Sequence, residues 1–258
     1  MISVITVVLN NLDGLRKTAD SLKFIKCDHE WIVIDGGSTD GTVDWLVWKN
    51  GDRLRWISEA DAGIYDAMNK GWSLAVGEWV CFLNGGDYLI KCFDHLLSEH
   101  SEADMITGRV AIYHADGRPT GGLCPKLHWD RSDFITRCPI AHPATFLRRN
   151  LFYRFGPYEK NYFWVGDFEY WVRLHSQRAT IVFVEDVISG FQLGGISTQR
   201  NYVLKIEAER RSILCDYCYI TKMQSFLMNI KFRFLFFMKN AVFLLLPVSV
   251  INYLRSII

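Results

Sequence analysis

Four short apolar runs, the first three each followed by a segment of helix length, constrain this chain more than anything else in it. Ile2-Ser3-Val4-Ile5-Thr6-Val7-Val8 opens the sequence, and Trp31-Ile32-Val33-Ile34, Trp56-Ile57 and Trp79-Val80-Cys81-Phe82-Leu83 follow. The runs read as buried strands. The segments after the first three read as helices over about 13–24, 42–48 and 64–75. Strand, helix, strand, loop, helix is the opening of a parallel, doubly wound α/β sheet. Such sheets bind ligands outside the carboxyl ends of their strands. The residues just after each run are therefore the candidates for function.

Those residues are rich in acids and glycines. The second run ends in Asp35, and Gly36-Gly37-Ser38-Thr39-Asp40-Gly41-Thr42 follows it. An acid there commonly accepts hydrogen bonds from ribose hydroxyls or a base N–H, and the loop offers free backbone N–H groups near a helix N-terminus. Asp40 and Thr42 read as helix-capping residues, which leaves Asp35 as the ligand contact. On the third helix Asp66, Asn69 and Lys70 share one face, and Ile64, Ala67, Met68 and Trp72 are left for the core. Lys70 can reach a diphosphate as a point charge; a solvated lysine is the plainer reading. After the fourth run comes Asn84-Gly85-Gly86-Asp87. Its glycines let the backbone turn sharply and leave one carboxylate, Asp87, at the strand mouth. With phosphate oxygens opposite, such a carboxylate holds Mg²⁺ or Mn²⁺. A plain β-turn with a solvated aspartate needs the same residues.

At 258 residues, half of them apolar, the chain is long enough for one large domain, or a domain with an appendage. A formal net charge of +1 argues against a nucleic-acid partner. The seven cysteines have no regular spacing, and the Cys215-x-x-Cys218 pair has no second pair near it. Reduced thiols in a cytosolic compartment are the expectation. No charged leader precedes the first strand, so no secretory signal is expected.

The second half reads as a strand over 105–113, a loop-rich stretch over 114–133, and a strand over 179–184. His142 precedes a proline and is expected in an extended segment. It either lines the site or donates to a backbone carbonyl. Arg148-Arg149 reads as solvated surface. Asp167 stands where a helix begins, which suits a cap. Gly190-Phe191-Gln192-Leu193-Gly194-Gly195-Ile196-Ser197-Thr198 suits a mobile loop closing over phosphates, or a turn. Over 217–258 there is no Asp or Glu, while Lys222, Lys231, Arg233, Lys239 and Arg255 lie among phenylalanines and leucines. Its most apolar stretch, 241–254, has fourteen residues, short of the ~20 that cross a bilayer. An amphipathic helical tail on an anionic membrane surface fits this pattern. A helical pair packed on the main domain or on a second subunit, as in a homo-oligomer, is the alternative.

Taken in order, Ile5 to Asn10, Val33 to Thr42, Ser58 to Gly71 and Gly77 to Asp87 resemble family 2 glycosyltransferases of the GT-A fold, the type that builds bacterial exopolysaccharide or O-antigen chains. The resemblance covers roughly residues 1–200. It implies a Rossmann-like mixed sheet flanked by helices, with a catalytic domain over 1–205 and the tail over 206–258. It implies nucleotide-sugar contacts at Val7, Asp35, Asp61, Lys70 and Gly86, with Asp35 on the base. Asp87 corresponds to the last acid of the family's metal motif, with Mn²⁺ or Mg²⁺ as cofactor. The acid in the context Asp167-Phe168-Glu169-Tyr170-Trp171-Val172-Arg173 corresponds to the catalytic base, with His142 and Trp171 on the acceptor side. The chain departs from the metal motif, since Asn84 and Gly86 stand where acids often stand. The expected activity is inverting transfer of a sugar from a nucleotide sugar, UDP-linked by expectation, to a saccharide or lipid-linked acceptor at the inner face of the cell membrane. Transfer to polyprenyl phosphate, and a degenerate sugar-nucleotide-binding scaffold, stay open as alternatives.

Overall fold

The computed structural model describes residues 1–114, 116–124, 131–136, 138–193 and 202–245. In chain order the elements are β1 (Ile2–Val8), α1 (Leu12–Ser21), β2 (His29–Asp35), α2 (Thr42–Lys49), β3 (Leu54–Ser58), α3 (Ile64–Leu74), β4 (Trp79–Phe82), β5 (Tyr88–Leu89), α4 (Asp94–Glu99), β6 (Met105–Tyr113), β7 (Pro119–Cys124), α5 (Arg131–Thr136), β8 (Thr145–Arg148), α6 (Leu151–Phe155), α7 (Gly166–Ser176), β9 (Ile181–Gln192), α8 (Val203–Asp216) and α9 (Lys222–Leu245).

The strands form one mixed sheet in the order β3-β2-β1-β4-β8-β6-β9-β5, with β7 paired to β6. β1 pairs in parallel with β2 and β4, and β2 with β3. β8 reverses the direction, antiparallel to both β4 and β6. The carboxyl ends of β1, β2 and β4 therefore lie side by side, and the loops they launch form one edge.

Alternation along each strand feeds two cores. Ile5, Val7, Ile32, Ile34, Val80 and Phe82 pack on one face with α3, α7 and α8. Val4, Val8, Val33, Cys81 and Leu83 pack on the other with Leu15 and Leu46. Apolar side chains on both faces are what a covered parallel sheet requires. α3 meets the sheet through Gly71, where an added Cβ would lie 2.4 Å from Ile5 Cγ2 and 3.2 Å from Ile34 Cγ1. Ile5 is fully buried and has nowhere to move. Gly71→Ala is therefore expected to cost about 1–3 kcal/mol of stability, read as a shift of the urea midpoint at constant slope. An unchanged midpoint would show that the helix retreats without cost.

Several elements depart from the sequence reading. Ile64, expected in the core, is 42% exposed, and Tyr65 takes its place inside. The stretch 114–133 reads as loop-rich, yet it carries β7, which pairs with β6, and the start of α5. β9 runs to Gln192, so Gly190, Phe191 and Gln192 belong to a strand, while the rest of the expected loop, 194–198, lies outside the described residues. His142 begins a 3₁₀ turn, His142–Ala144. Pro143 lies in the first turn, where a missing N–H leaves no bond unmade. Arg148 and Arg149 are not merely solvated. Arg148 lies over the Trp79 ring at 4.1 Å, and Arg149 Nε donates to the Gly77 carbonyl at 2.9 Å.

The expected boundary at 205/206 falls just inside α8. Ile213, Leu214, Tyr219 and Ile220 belong to the same core as β1 and α7. α9 bears a stripe of exposed apolar side chains, including Phe226, Ile230, Phe234 and Phe237. No helix among the described residues is long and apolar enough to cross a membrane. The expected apolar stretch 241–254 lies within the described residues only up to Leu245.

Candidate active site

Backbone bonds from β1 hold the edge together. The Gly36 amide donates to the Val8 carbonyl at 2.9 Å and the Gly85 amide to the Val7 carbonyl at 3.0 Å. Val7 itself is buried in the core, so what it presents at the edge is backbone. Asp40 accepts from the Leu12 amide at 2.9 Å and from the Thr42 amide and hydroxyl at 3.1 and 2.6 Å. It thereby ties the starts of α1 and α2 together, and these bonds, led by the Thr42 hydroxyl, hold its carboxyl below the usual range.

Asp35 is fully buried at the end of β2. Its Oδ2 accepts from the Gly37 and Ser38 amides at 3.2 and 3.0 Å and from the Ser58 hydroxyl at 2.6 Å, and its Oδ1 accepts from the Ser38 hydroxyl at 2.5 Å. The carboxylate thus folds the loop after β2 onto the end of β3. A ligand N–H reaching it must share or displace one of the two serine hydroxyls.

Asp61 lies over this loop, 3.1 Å from where a Cβ on Gly36 would stand. Lys70, from α3, reaches it at 2.7 Å, Glu59 at 2.8 Å and Asp66 at 3.6 Å, and donates to the Ala60 carbonyl at 3.2 Å. Asp61 and then Glu59 raise the Lys70 pKa. The sequence points Lys70 at a diphosphate. In the structure its charge is spent on the acids of the 59–66 segment, which would otherwise repel one another.

Thr18 of α1 fixes the turn after β4. Its hydroxyl donates to the Asp87 carbonyl at 2.7 Å and accepts from the Gly86 amide at 3.1 Å. Asn11 Nδ2 donates to the Gly85 carbonyl at 2.8 Å. Gly86 adopts φ +113, a left-handed geometry that a side chain would strain. Asp87 is partly buried in this turn. Burial pushes its pKa up to about 7, against the Asn84 backbone and the charge of Lys17, which pull it down. Asn84 Oδ1, in the same turn, is buried without a hydrogen-bond partner. Sequence reasoning missed Lys17, because a lysine on an amphipathic helix looks solvated. It lies 3.8 Å from the Tyr88 ring centroid and donates to Gln192 Oε1 at 3.1 Å.

Asp167 lies in the first turn of α7 rather than capping it, since the cap position is Val165. Its Oδ1 accepts from the Tyr65 hydroxyl at 3.0 Å and from the Phe168 amide at 2.8 Å. Its Oδ2 accepts no hydrogen bond from the described residues. Tyr65 is the second residue of α3, four positions after Asp61, so this bond brings α7 to the loop edge. Gly166 permits it, because a Cβ there would sit 2.8 Å from the Tyr65 ring. His142 stacks on Phe82 at 5.3 Å, close to the end of β4, and its Nε2 lies 3.1 Å from the Tyr158 hydroxyl. Burial lowers its pKa, against the nearby charge of Asp167, so the ring is neutral at pH 7. Trp171, expected beside the acceptor, is fully buried and supports His142 from beneath at 5.7 Å. It lies one helical turn on from Asp167, where core side chains cover it.

One carboxylate and an unpartnered amide oxygen cannot complete a cation's shell. Among the described residues no group of three or more His, Cys, Asp or Glu could hold a metal. The donors do suit a hard cation whose remaining ligands are phosphate oxygens and water.

Comparison with known proteins agrees with this architecture. The family model described as "Glycosyl transferase family 2" matches residues 3–152. A "PGL/p-HBAD biosynthesis glycosyltransferase" of Mycobacterium bovis is 32% identical over 209 residues, covering 76% of this chain and 79% of that protein. S. aureus TarS 1–349 in complex with UDP superposes with a TM-score of 0.63 at 16% identity, over 96% of this chain and 76% of that one. The Pyrobaculum calidifontis mannosyltransferase PcManGT, in complex with GDP-Man and Mn²⁺, gives a TM-score of 0.57 at 16% identity, over 84% of this chain and 62% of that one. The solved structures establish the GT-A architecture, and the sequence matches go further: this chain belongs to glycosyl transferase family 2.

Proposed function

We propose that the chain transfers a sugar, with inversion, from a UDP-sugar to a hydroxyl of a saccharide or lipid-linked acceptor at a membrane surface, in cell-surface glycan synthesis. The observation that carries this reading is the Tyr65–Asp167 hydrogen bond. It sets a carboxylate, one oxygen of which accepts no hydrogen bond from the described residues, against α3, whose Lys70 pairs with Asp61 of the preceding loop.

A sugar hydroxyl is a poor nucleophile at neutral pH. Asp167 Oδ2 takes its proton as the new C–O bond forms, while Tyr65 and the Phe168 amide hold Oδ1 and fix the direction of the free lone pairs. Neutral His142 lines the acceptor side without placing a competing positive charge beside the base. Asp35 and Asp61 shape the nucleotide loop, and the backbone at Val7 and Gly86 borders the pyrophosphate. Asp87, with the Asn84 amide oxygen, would hold Mn²⁺ or Mg²⁺ against the diphosphate, and Lys17 adds positive charge beside it. When bound, such an ion stabilises the charge on the departing nucleoside diphosphate as a Lewis acid. Single displacement at the anomeric carbon inverts its configuration. A panel of nucleotide sugars tested for binding, hydrolysis and transfer with Mn²⁺ checks the donor class. Tight binding of a GDP-sugar with none of a UDP-sugar would overturn the UDP reading.

The membrane part rests on α9. Its exposed Phe226, Leu227, Ile230, Phe234 and Phe237 recur at helical spacing, and the chain beyond residue 216 has no acid to oppose an anionic surface. Truncation at residue 217 is a poor test, because Tyr219 and Ile220 belong to the core. Phe226→Glu with Phe234→Glu leaves the core intact, since both side chains are more than half exposed. The double variant is expected to stop sedimenting with phosphatidylserine-containing vesicles while staying monodisperse. Undiminished sedimentation would remove the membrane from the account.

A further inference from the structure

We propose that Glu209, on α8, is a positioning residue for the catalytic base. The inference rests on the reading of Asp167 given above. Glu209 accepts three consecutive backbone amides just ahead of α7: Phe163 at 2.9 Å on Oε1, and Trp164 and Val165 at 2.7 and 3.2 Å on Oε2. These are the N–H groups that precede Gly166 and Asp167, where α7 begins. Val165 is the cap position of α7, so its amide is one that the helix start leaves unpaired, while the Phe163 and Trp164 amides lie just before the cap; a carboxylate is a strong acceptor for all three.

Three further contacts tie α8 and the residues around it to the same segment. Tyr202, just ahead of α8, stacks on Trp164 at 4.3 Å. Asp216 accepts from the Tyr162 hydroxyl at 3.3 Å. The Tyr217 hydroxyl donates to Glu169, which is fully buried and paired with Arg173 at 2.8 Å. Residues 162–169 are thus held along their length by residues 202–217, and the Glu209 contact to Val165 lies two positions ahead of Asp167. Tyr65 fixes one oxygen of Asp167 from α3. Glu209 fixes the backbone ahead of it from α8. Without Glu209, three amides lose their acceptor together, and the segment is free to shift relative to the acceptor hydroxyl.

Misplacing a catalytic group by a fraction of its hydrogen-bond reach is expected to reduce kcat in Glu209→Ala by about 10- to 100-fold. The KM for the donor should stay close to wild type, because the nucleotide loops lie on β1, β2 and β4. Glu209→Gln keeps one carbonyl acceptor and is expected to recover part of the loss. Adding Glu209→Ala to Asp167→Asn should lower the residual rate no further, since residues acting as one unit are not additive. If the two losses multiply, or if the donor KM rises with the fall in kcat, Glu209 is a general structural residue and the proposal fails while the base assignment stands. If Asp167→Asn transfers at the wild-type rate, the base assignment fails and the proposal goes with it. Should Glu209→Ala not fold, Glu209→Gln and Glu209→Gln with Asp167→Asn carry the same comparison.

Discussion

Asp167→Asn should lower kcat by about 10²–10⁴-fold, the range that a positioned general base supplies, and leave UDP affinity almost unchanged. The exchange removes one proton-accepting oxygen and little else. The amide keeps a carbonyl oxygen for the Tyr65 hydroxyl and the Phe168 amide, so the start of α7 has no cause to move. What is lost is the capacity of the second position to take a proton, because an amide nitrogen donates and does not accept. Single-turnover rates at saturating donor isolate this step, and calorimetry with UDP shows whether binding survives. A variant that turns over as fast as wild type, or one that loses UDP binding in step with activity, would remove Asp167 from the base role.

Asp87→Asn should have two effects of opposite sign. The first is loss of metal-dependent activity, since the turn after β4 then has no anionic oxygen for a cation. The second is a gain in stability of the ligand-free protein. The folded pKa of Asp87, about 7, stands above its unfolded value of about 3.9. The fold therefore holds the proton more tightly than the unfolded chain does. The destabilisation from the ionised carboxylate is absent below about pH 4, grows as pH rises toward 7 and is constant above it. At pH 8 the Asp87→Asn variant is expected to melt about 2–8 °C above wild type, with the difference shrinking as pH falls toward 4. Thermal scans at several pH values, without metal or nucleotide, measure this. A variant less stable than wild type at pH 8 would mean that the carboxylate is held by partners rather than penalised by burial.

The parallel half of the fold was legible because its strands are covered on both faces. β1, β2 and β4 each carry a mainly apolar run, broken in β1 only by Ser3 and Thr6 and in β2 bounded by Glu30 and Asp35, and helical segments of the right length lie between the strands. β5 was not legible because it is two residues long, and β8 because its four residues, Thr145-Phe146-Leu147-Arg148, lack the unbroken apolar run of β4; both gain their identity from partners distant in sequence. β7 contains Pro119, Gly121 and Gly122, which read as loop. Of the site, the acids at strand ends were visible by type and place. Their engagement was not. Asp35 bonds Ser38 of its own loop and Ser58 at the end of the neighbouring β3, and Lys70 is surrounded by Glu59, Asp61 and Asp66, partners that meet once the strands are laid side by side and α3 packs against them. Tyr65 bonds Asp167 across 102 residues and Glu209 reaches Trp164 across 45. No local pattern announces either contact. Both follow from α3, α7 and α8 sharing one face of the sheet.

The most direct measurement is a crystal structure grown with Mn²⁺ and a non-transferable UDP-sugar. The ion is expected between Asp87 and the diphosphate, with the anomeric carbon on a line toward Asp167 Oδ2 and room for one hydroxyl between them. Asp87 and Asp167 opening onto separate clefts, or the sugar lying away from α7, would contradict the account.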